Sequence, residues 1–128
     1  MNILAQEGLT PSRLSTLSKR LLRARHALSD MAEQGFQNCV LEQGEEQVVL
    51  DKQKLLEQPE EIAFRIIVQA TKLFKRDKNY AIRMDRLENL FGSLYHNGVD
   101  FKPRTLGGLI FALKDKNTAL YIEKENKE

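Results

Sequence analysis

The stretch that decides the fold runs from Arg104 to Glu125 and reads RTLGGLIFALKDKNTALYIEKE. It predicts a β-hairpin in which Leu109–Lys114 forms one strand and Thr118–Glu123 forms its partner. Asp115–Asn117 is the predicted tip, because Asp and Asn tolerate the backbone angles of a tight turn. The first strand is apolar on both faces, and a lone hairpin is only marginally stable in water, so we expect the upstream helices to pack on it.

A glycine pair, Gly107-Gly108, interrupts the apolar pattern just before the first strand of this hairpin. Glycines inside a strand pattern indicate a bulge or a close approach of another stretch of backbone. A phosphate-binding loop is not favoured, because such a loop needs spaced glycines, a Lys-Ser or Lys-Thr pair and a following helix. We therefore expect a structural role for the pair.

The first long helix is predicted to begin at Thr10, a good N-cap that is followed by Pro11. Apolar residues then recur at spacings of three and four, which is typical of a helix with one apolar face. They are Leu14, Leu17, Leu21, Ala24, Leu28 and Met31. We expect this face to pack on its own domain and the helix to end or loosen at Gln34-Gly35. Residues 1–7 resemble the frayed end of an earlier helix, which Gly8 closes.

The middle of the chain predicts a small hairpin and three further helices. In order, the predicted segments are strands at Cys39–Leu41 and Gln47–Leu50, a short helix capped by Asp51 over Lys54–Glu57, a central buried helix opened by Pro59 over Ile62–Phe74, and a last helix over Met84–Tyr95 that Asn97-Gly98 ends. The predicted fold class is α+β and mainly helical, with about four helices, a small hairpin in the middle and a C-terminal β-hairpin. We expect residues 1–128 to form a single domain.

Composition describes an ordinary soluble globular protein. Hydrophobic residues make up 41% and charged residues 30% of the 128 residues, which argues against a disordered tail. No apolar run reaches membrane-spanning length and the first residues do not form a signal peptide, so we expect no membrane association and a cytoplasmic location. The single cysteine, Cys39, excludes an internal disulfide and fits a reducing compartment.

Charge divides the chain into two basic zones and one acidic zone, although the net charge is only +2. The basic residues between Thr10 and Asp30 are Arg13, Lys19, Arg20, Arg23 and Arg25. Those between Lys72 and Arg86 are Lys72, Lys75, Arg76, Lys78, Arg83 and Arg86. The acidic zone contains Glu42, Glu45, Glu46, Asp51, Glu57, Glu60 and Glu61. This distribution of charge fits a protein that binds and orients a polyanion. It fits equally a protein whose charged residues only form solvated helix faces and an acidic loop.

The residue types that commonly carry chemistry form neither a catalytic nor a metal-binding pattern. His26 and His96 lack cysteine or carboxylate neighbours at metal spacing, so each is predicted to be a surface histidine. Cys39 has no basic neighbour that would lower its pKa, so it is predicted to be a small buried residue in a strand. The adjacent pairs Glu45-Glu46 and Glu60-Glu61 point in different directions and do not make an acid–base dyad.

Three segments carry a family resemblance: EGLTPSRL at Glu7–Leu14, YAIRMDRLE at Tyr80–Glu88, and the closing stretch Arg104–Glu125. The first is similar to the segment that follows the catalytic domain of tRNA(Ile)-lysidine synthases. The second is similar to the Y-x-x-R-x-x-R-L-E run of the proteobacterial members, and the third resembles the closing segment of the family. Together they span nearly the whole chain, in the order that the family has.

The resemblance implies that this chain is the C-terminal portion of such an enzyme, since the family's ATP-pyrophosphatase loop, S-G-G-x-D-S, does not occur in it. The family uses ATP to attach lysine to the wobble cytidine of a bacterial isoleucine tRNA. ATP, with Mg²⁺, and lysine would bind to the missing N-terminal catalytic domain, so this chain would hold no cofactor and would be inactive alone. The implied partners are tRNA(Ile) and that catalytic domain, and neither DNA nor a membrane.

The candidate RNA-binding residues are Tyr80, Arg83, Arg86, Arg104, Lys102 and Lys75, with Lys19, Arg20 and Arg23 as a secondary basic face. Arg83 and Arg86 are one helical turn apart and Tyr80 lies a turn earlier, so guanidinium groups and an aromatic ring could meet a phosphate and a nucleotide. If the last helix and the closing hairpin are neighbours, Arg104 joins the same face.

Other interpretations stay open from the residues alone. Arg83 and Arg86 could pair with the nearby acids Asp77, Asp85 and Glu88 and have no RNA role. The heptad-like face from Leu14 to Met31 could instead make the chain a helical protein–protein interaction module. A DNA-binding regulator is not favoured, because no two helices are joined by the short turn of a helix-turn-helix. The resemblance favours contact with RNA.

Overall fold

Five antiparallel strands and four helices make up the part of the chain that the computed structural model describes, residues 10–74, 82–96 and 101–125. The helices are α1 (Pro11–Cys39), α2 (Lys52–Glu57), α3 (Glu60–Lys72) and α4 (Met84–His96). The strands are β1 (Val40–Gln43), β2 (Gln47–Asp51), β3 (Arg104–Leu106), β4 (Leu109–Lys114) and β5 (Ala119–Lys124). This arrangement confirms the predicted α+β class with a predominance of helix.

The closing hairpin forms as predicted. Strands β4 and β5 pair in register, with Phe111 opposite Ile122. Asp115, Lys116 and Asn117 all have positive φ angles, of 56°, 60° and 64°, which explains why residues that tolerate the left-handed region occupy the tip. The other edge of β5 pairs with β2, so the small hairpin of the middle segment joins the closing hairpin in one sheet of order β1-β2-β5-β4-β3.

Gly107 and Gly108 form a tight turn and not a bulge; of the two predicted alternatives the close backbone approach remains, since the Glu125 backbone N–H donates to the Gly108 carbonyl at 2.9 Å. The φ angles of Gly107 and Gly108 are 59° and 78°, the left-handed values that a two-residue hairpin turn requires. The turn joins β4 to β3, in which Thr105 pairs with Ile110. The prediction missed β3 because its three residues are too few to show an alternating pattern.

One face of the sheet carries the core. Six side chains on this face are completely buried: Val48, Leu50, Leu109, Phe111, Leu120 and Ile122. They form one cluster with residues of all four helices, which confirms that the upstream helices pack on the hairpin. Burial of each large apolar side chain contributes roughly 1.5–3 kcal/mol to the free energy of folding.

Side chains of the sheet itself cover its opposite face. Tyr121 lies between Val49 and Ala112 in register, and these two residues are only 3% and 7% exposed. The Tyr121 hydroxyl donates to Asp115 Oδ2 at 2.9 Å, and Lys114 Nζ lies 4.8 Å from the ring centroid. The hydrogen bond to Asp115 raises the pKa of Tyr121, and burial of the group acts in the same direction. The second apolar face of β4 is thus covered without a further helix.

Helix α1 begins as predicted and continues past its predicted end. Thr10 Oγ1 accepts a hydrogen bond from the Arg13 backbone N–H at 3.2 Å. The helix runs through Gly35 to Cys39, so the predicted end at Gln34-Gly35 and the strand position of Cys39 are both wrong. A Cβ at Gly35 would lie 2.7 Å from Ile66 Cδ1 of α3, so this glycine lets two helices approach closely. The prediction that Cys39 is buried is confirmed.

The two parts of α1 differ sharply in burial. The inner segment, Ala32–Cys39, contributes four buried residues: Ala32, Gly35, Phe36 and Cys39. The outer segment, Pro11–Met31, has none, and its Leu17, Leu21 and Met31 side chains are 43%, 62% and 49% exposed. The expectation that the apolar face packs on its own domain is therefore wrong for most of the outer segment, because the elements within residues 10–74, 82–96 and 101–125 reach α1 only from about Leu28 onward.

The remaining helices follow the predicted pattern. Asp51 Oδ1 accepts from the Lys54 backbone N–H at 3.1 Å and so caps α2. Helix α3 is the central buried helix and packs against α4, where the rings of Phe64 and Phe91 meet edge to face at 5.4 Å. The predicted end of the last helix at Asn97-Gly98 and the segment of residues 1–9 lie outside the described residues. No helix in the described ranges is both long enough and apolar enough to span a membrane.

Candidate nucleic-acid interface

Arg83 and Arg86 lie at the start of α4, as the sequence predicts. The Arg83 carbonyl accepts from the Leu87 backbone N–H at 3.0 Å, so Arg83 stands immediately before the first helical turn and Arg86 lies within it. Arg83 Nη2 is 3.2 Å from Asp85 Oδ2, and both side chains are about two-thirds exposed. Such an exposed ion pair is worth about 0–1 kcal/mol, so it leaves the guanidinium free to exchange partners. The predicted pairing of Arg83 with Asp85 therefore exists, but it is weak.

Arg86 is exposed and makes no ion pair within residues 10–74, 82–96 and 101–125. Its position opposes the helix dipole, because the start of a helix carries partial positive charge and favours anions. A cation there costs about 0.3–1 kcal/mol instead of stabilising the helix. Helix stability therefore does not explain two arginines at this end of α4, whereas an anion bound at the start of the helix would gain from the helix dipole.

Lys102 and Arg104 are exposed at the opening of β3, the edge strand of the sheet. The Arg104 guanidinium lies over the Phe101 ring at 5.3 Å from its centroid, and Phe101 is only 8% exposed. A guanidinium that stacks on a ring keeps its N–H donors at the rim, where they can meet a phosphate. The sequence prediction missed this contact because Phe101 falls in an irregular segment without a periodic pattern.

The two pairs of basic residues, Arg83 with Arg86 and Lys102 with Arg104, occupy different elements, and their convergence on one face stays a prediction. Arg83 and Arg86 belong to α4, while Lys102 and Arg104 belong to the approach to β3. Two further candidates, Tyr80 and Lys75, lie outside the described residues.

The secondary basic face lies on the outer segment of α1. Lys19, Arg20 and Arg23 are all exposed and form no ion pair within the described part of the chain. Lys19 and Arg23 are four residues apart and therefore share one side of the helix. This face belongs to α1, whereas Arg83 and Arg86 belong to the start of α4, whose first residue, Met84, lines a depression together with Ser29 and Ala32 of α1.

The acidic zone borders shallow depressions on the body of the protein. One lies at the β1–β2 turn, and its acidic residues are Glu42, Glu45, Glu46 and Glu123. Another lies between α3 and α4, where Glu60, Glu61 and Glu88 surround Phe64 and Phe91. Both depressions would repel a polyanion, so they limit where RNA could approach the body.

The histidines lie on the surface as the sequence predicts, and Cys39 is buried as predicted, although in a helix and not in a strand. His26 is exposed, and His96 Nε2 at the end of α4 lies 3.3 Å from Glu60 Oε1 on the surface. Burial raises the pKa of the Cys39 thiol, and the nearby Asp51 carboxylate acts in the same direction, so a reactive thiolate is disfavoured. Among the described residues, no group of three His, Cys, Asp or Glu side chains is placed to hold a metal ion.

Comparison with known proteins gives one informative similarity. No protein-family model and no solved structure matches the chain. A tRNA(Ile)-lysidine synthase from Methylobacterium sp. (strain 4-46) is 34% identical to it over 117 residues, which cover 88% of this chain and 34% of the relative. The chain thus spans about a third of the length of this relative. Through this similarity the chain is related to the tRNA(Ile)-lysidine synthase family.

Proposed function

We propose that the chain is the tRNA-binding portion of a tRNA(Ile)-lysidine synthase of the proteobacterial type, C-terminal to the catalytic domain. In the complete enzyme ATP, with Mg²⁺, and lysine bind to the catalytic domain, which attaches lysine to the wobble cytidine of tRNA(Ile) in the cytoplasm. This portion holds the tRNA in position. The similarity to this relative supports a function in tRNA modification. It does not favour the alternative, a helical protein–protein interaction module without an RNA role.

The observation that carries the proposal is the pair of exposed arginines at the start of α4. Arg83 and Arg86 occupy the end of the helix where cations are unfavourable for the fold, and the ion pair of Arg83 is exposed and weak. A phosphate at this position accepts hydrogen bonds from the guanidinium forks and gains from the dipole. Arg104, fixed over Phe101, and Lys102 supply further phosphate contacts on the edge strand.

Such contacts position the RNA and do not read its sequence. Phosphate contacts fix register and orientation, while base contacts supply sequence information. Recognition of the anticodon therefore belongs to the catalytic domain, and this portion should bind different tRNAs with similar affinity. The exposed Lys19 and Arg23 on α1 would add further phosphate contacts that do not depend on the base sequence.

The experiment is a comparison of tRNA affinity between the wild type and the Arg86→Ala and Arg83→Ala variants, measured by fluorescence anisotropy. We expect each variant to bind several-fold more weakly, and equally so for an isoleucine and a non-isoleucine tRNA. Lys54→Ala is the matched control, because Lys54 is an exposed cation in the acidic zone and should not contact RNA. Wild-type affinity in correctly folded Arg86→Ala and Arg83→Ala would refute the site.

The melting temperature separates a binding defect from a folding defect. Removal of Arg86 relieves the unfavourable interaction with the helix dipole and introduces a strong helix former, so stability should be unchanged or slightly higher. A fall in melting temperature that accompanies the fall in affinity would assign Arg86 a structural role.

We further expect the isolated chain to have no ATP-dependent activity. The measurement is release of pyrophosphate from ATP in the presence of lysine and tRNA, with a complete lysidine synthase as the positive control. Pyrophosphate release by the purified chain would contradict the assignment of the chemistry to another domain.

A further inference from the structure

The outer segment of α1 exposes an apolar seam that continues the line of the packed face. The seam residues Leu14, Leu17, Leu21, Ala24, Leu28 and Met31 follow one another at spacings of three and four. The next position in the same series is Gly35, which lies against Ile66 of α3. The seam is therefore the same helix face that packs on the body, extended from Leu28 to Leu14 for about 21 Å beyond the reach of α3.

Arginines border this seam on both sides. If Leu14, Leu21 and Leu28 are assigned to position a of a heptad, Arg20 occupies position g and Arg25 occupies position e. These are the positions whose charges select the partner of a helix pair. Both side chains are exposed and form no ion pair within the described residues.

A second copy of the chain fits this seam poorly. A parallel pair of α1 helices would set Arg20 against Arg25 of the second copy, and an antiparallel pair would bring like flanks together. Like charges at these positions oppose association, which is how natural helix pairs exclude unwanted partners. The charge pattern therefore favours a helix other than a second copy of α1, with carboxylates at the matching positions.

A flat lipid surface also fits poorly. Since Gly35 packs on Ile66 and continues the seam, α3 and the body stand on the same side of α1 as the exposed leucines. The seam thus lies in the inner corner between a projecting helix and the body. A helix can enter this corner alongside α1, whereas a bilayer would meet the body first.

We propose that the outer segment of α1 is a docking surface for an acidic amphipathic helix of a protein partner. The partner helix lies against Leu14, Leu17 and Leu21, along the same face of α1 that α3 covers nearer the C-terminal end of the helix. Its acidic residues pair with Arg20 and Arg25. The leucine seam contains neither Arg83 nor Arg86, so loss of the seam should leave the proposed phosphate contacts of these two arginines in place.

The test uses two synthetic helical peptides of about three heptads with the same leucine seam, one flanked by Glu and the other by Lys. We expect saturable 1:1 binding of the Glu-flanked peptide to the whole chain by calorimetry, and no binding of the Lys-flanked peptide. The double variant Leu17→Gln/Leu21→Gln should weaken binding about tenfold or more, because two apolar contacts are lost. The same variant should keep its tRNA affinity within about twofold, which separates this proposal from the tRNA site.

Three results would overturn the proposal. One is the absence of binding by the Glu-flanked peptide, or equal binding by the wild type and the double variant. Another is a wild-type dimer in sedimentation equilibrium that the double variant abolishes, since the seam would then be covered by a second copy. The third is co-sedimentation with phosphatidylserine vesicles that the double variant abolishes, which would identify a lipid surface as the ligand.

Discussion

The two segments of α1 share one helical pattern and differ in what lies against it. In the inner segment, Gly35 and Phe36 face α3 and the core, and Phe36 is 2% exposed. In the outer segment, Leu21 belongs to the same apolar series but is 62% exposed. Hydrophobic periodicity thus predicts that a face requires cover, while the length of the neighbouring helices decides where that cover ends. Helix α3 has 13 residues and α1 has 29, so part of the longer helix has no neighbour among the described residues.

The largest difference between the segments should appear on truncation of one large side chain in each. Phe36→Ala removes a buried ring and should lower the free energy of unfolding by about 3–5 kcal/mol. Leu21→Ala should change it by less than about 0.5 kcal/mol, because the side chain is exposed and alanine favours helix. Urea denaturation followed by far-ultraviolet circular dichroism measures both.

Phe36→Leu provides a milder variant if Phe36→Ala does not fold, and it should lose stability in the same direction. Equal losses at Phe36 and Leu21 would show that the outer segment is packed in solution and would refute the comparison.

Thiol chemistry distinguishes the segments without loss of structure. Burial raises the pKa of Cys39, and the side chain is inaccessible, so its alkylation at pH 8 should be slow. A thiol introduced by Leu21→Cys in a Cys39→Ala background should react roughly a hundredfold faster, because no local opening is needed. The measurement is the rate of iodoacetamide modification by mass spectrometry. Similar rates at the two positions would mean that the inner segment opens readily.

The sheet beneath the inner segment depends on its turns. Gly108→Val places a β-branched residue at a φ of 78° and should cost about 1–3 kcal/mol of stability. Gly44→Ala is the control in the other hairpin, since a Cβ there meets only ordinary contacts, with the nearest atom at 3.5 Å. Thermal melting of the two variants measures the difference. If Gly108→Val keeps its stability but loses affinity for tRNA, the pair is a contact site and not a structural turn.

The sequence predicts the features that depend on local chemistry. The Asp115–Asn117 tip, the Thr10 cap and the start of α4 at Arg83 all follow from residue preferences that act over a few positions. Features that depend on distant neighbours could not be predicted in this way. Gly35 resembles a helix end until Ile66 is placed beside it, although the two residues are far apart in the chain.

The candidate site shows the same division. The exposure of Arg83 and Arg86 on one turn follows from helical spacing alone. The stacking of Arg104 on Phe101 does not, because it depends on how an irregular segment folds against the core. The position of Arg83 and Arg86 relative to Lys102 and Arg104 depends on long-range packing, and so it stays a prediction.

The most direct test of the central claim, that Arg86 contacts tRNA phosphate, is the salt dependence of tRNA affinity. For the wild type, a plot of log affinity against log salt concentration should fall steeply, with each phosphate contact contributing about 0.7 to 0.9 to the slope. In folded Arg86→Ala the slope should be smaller by about one contact, while Lys54→Ala should keep the wild-type slope. An unchanged slope in folded Arg86→Ala would contradict the account and leave the start of α4 without a role in binding RNA.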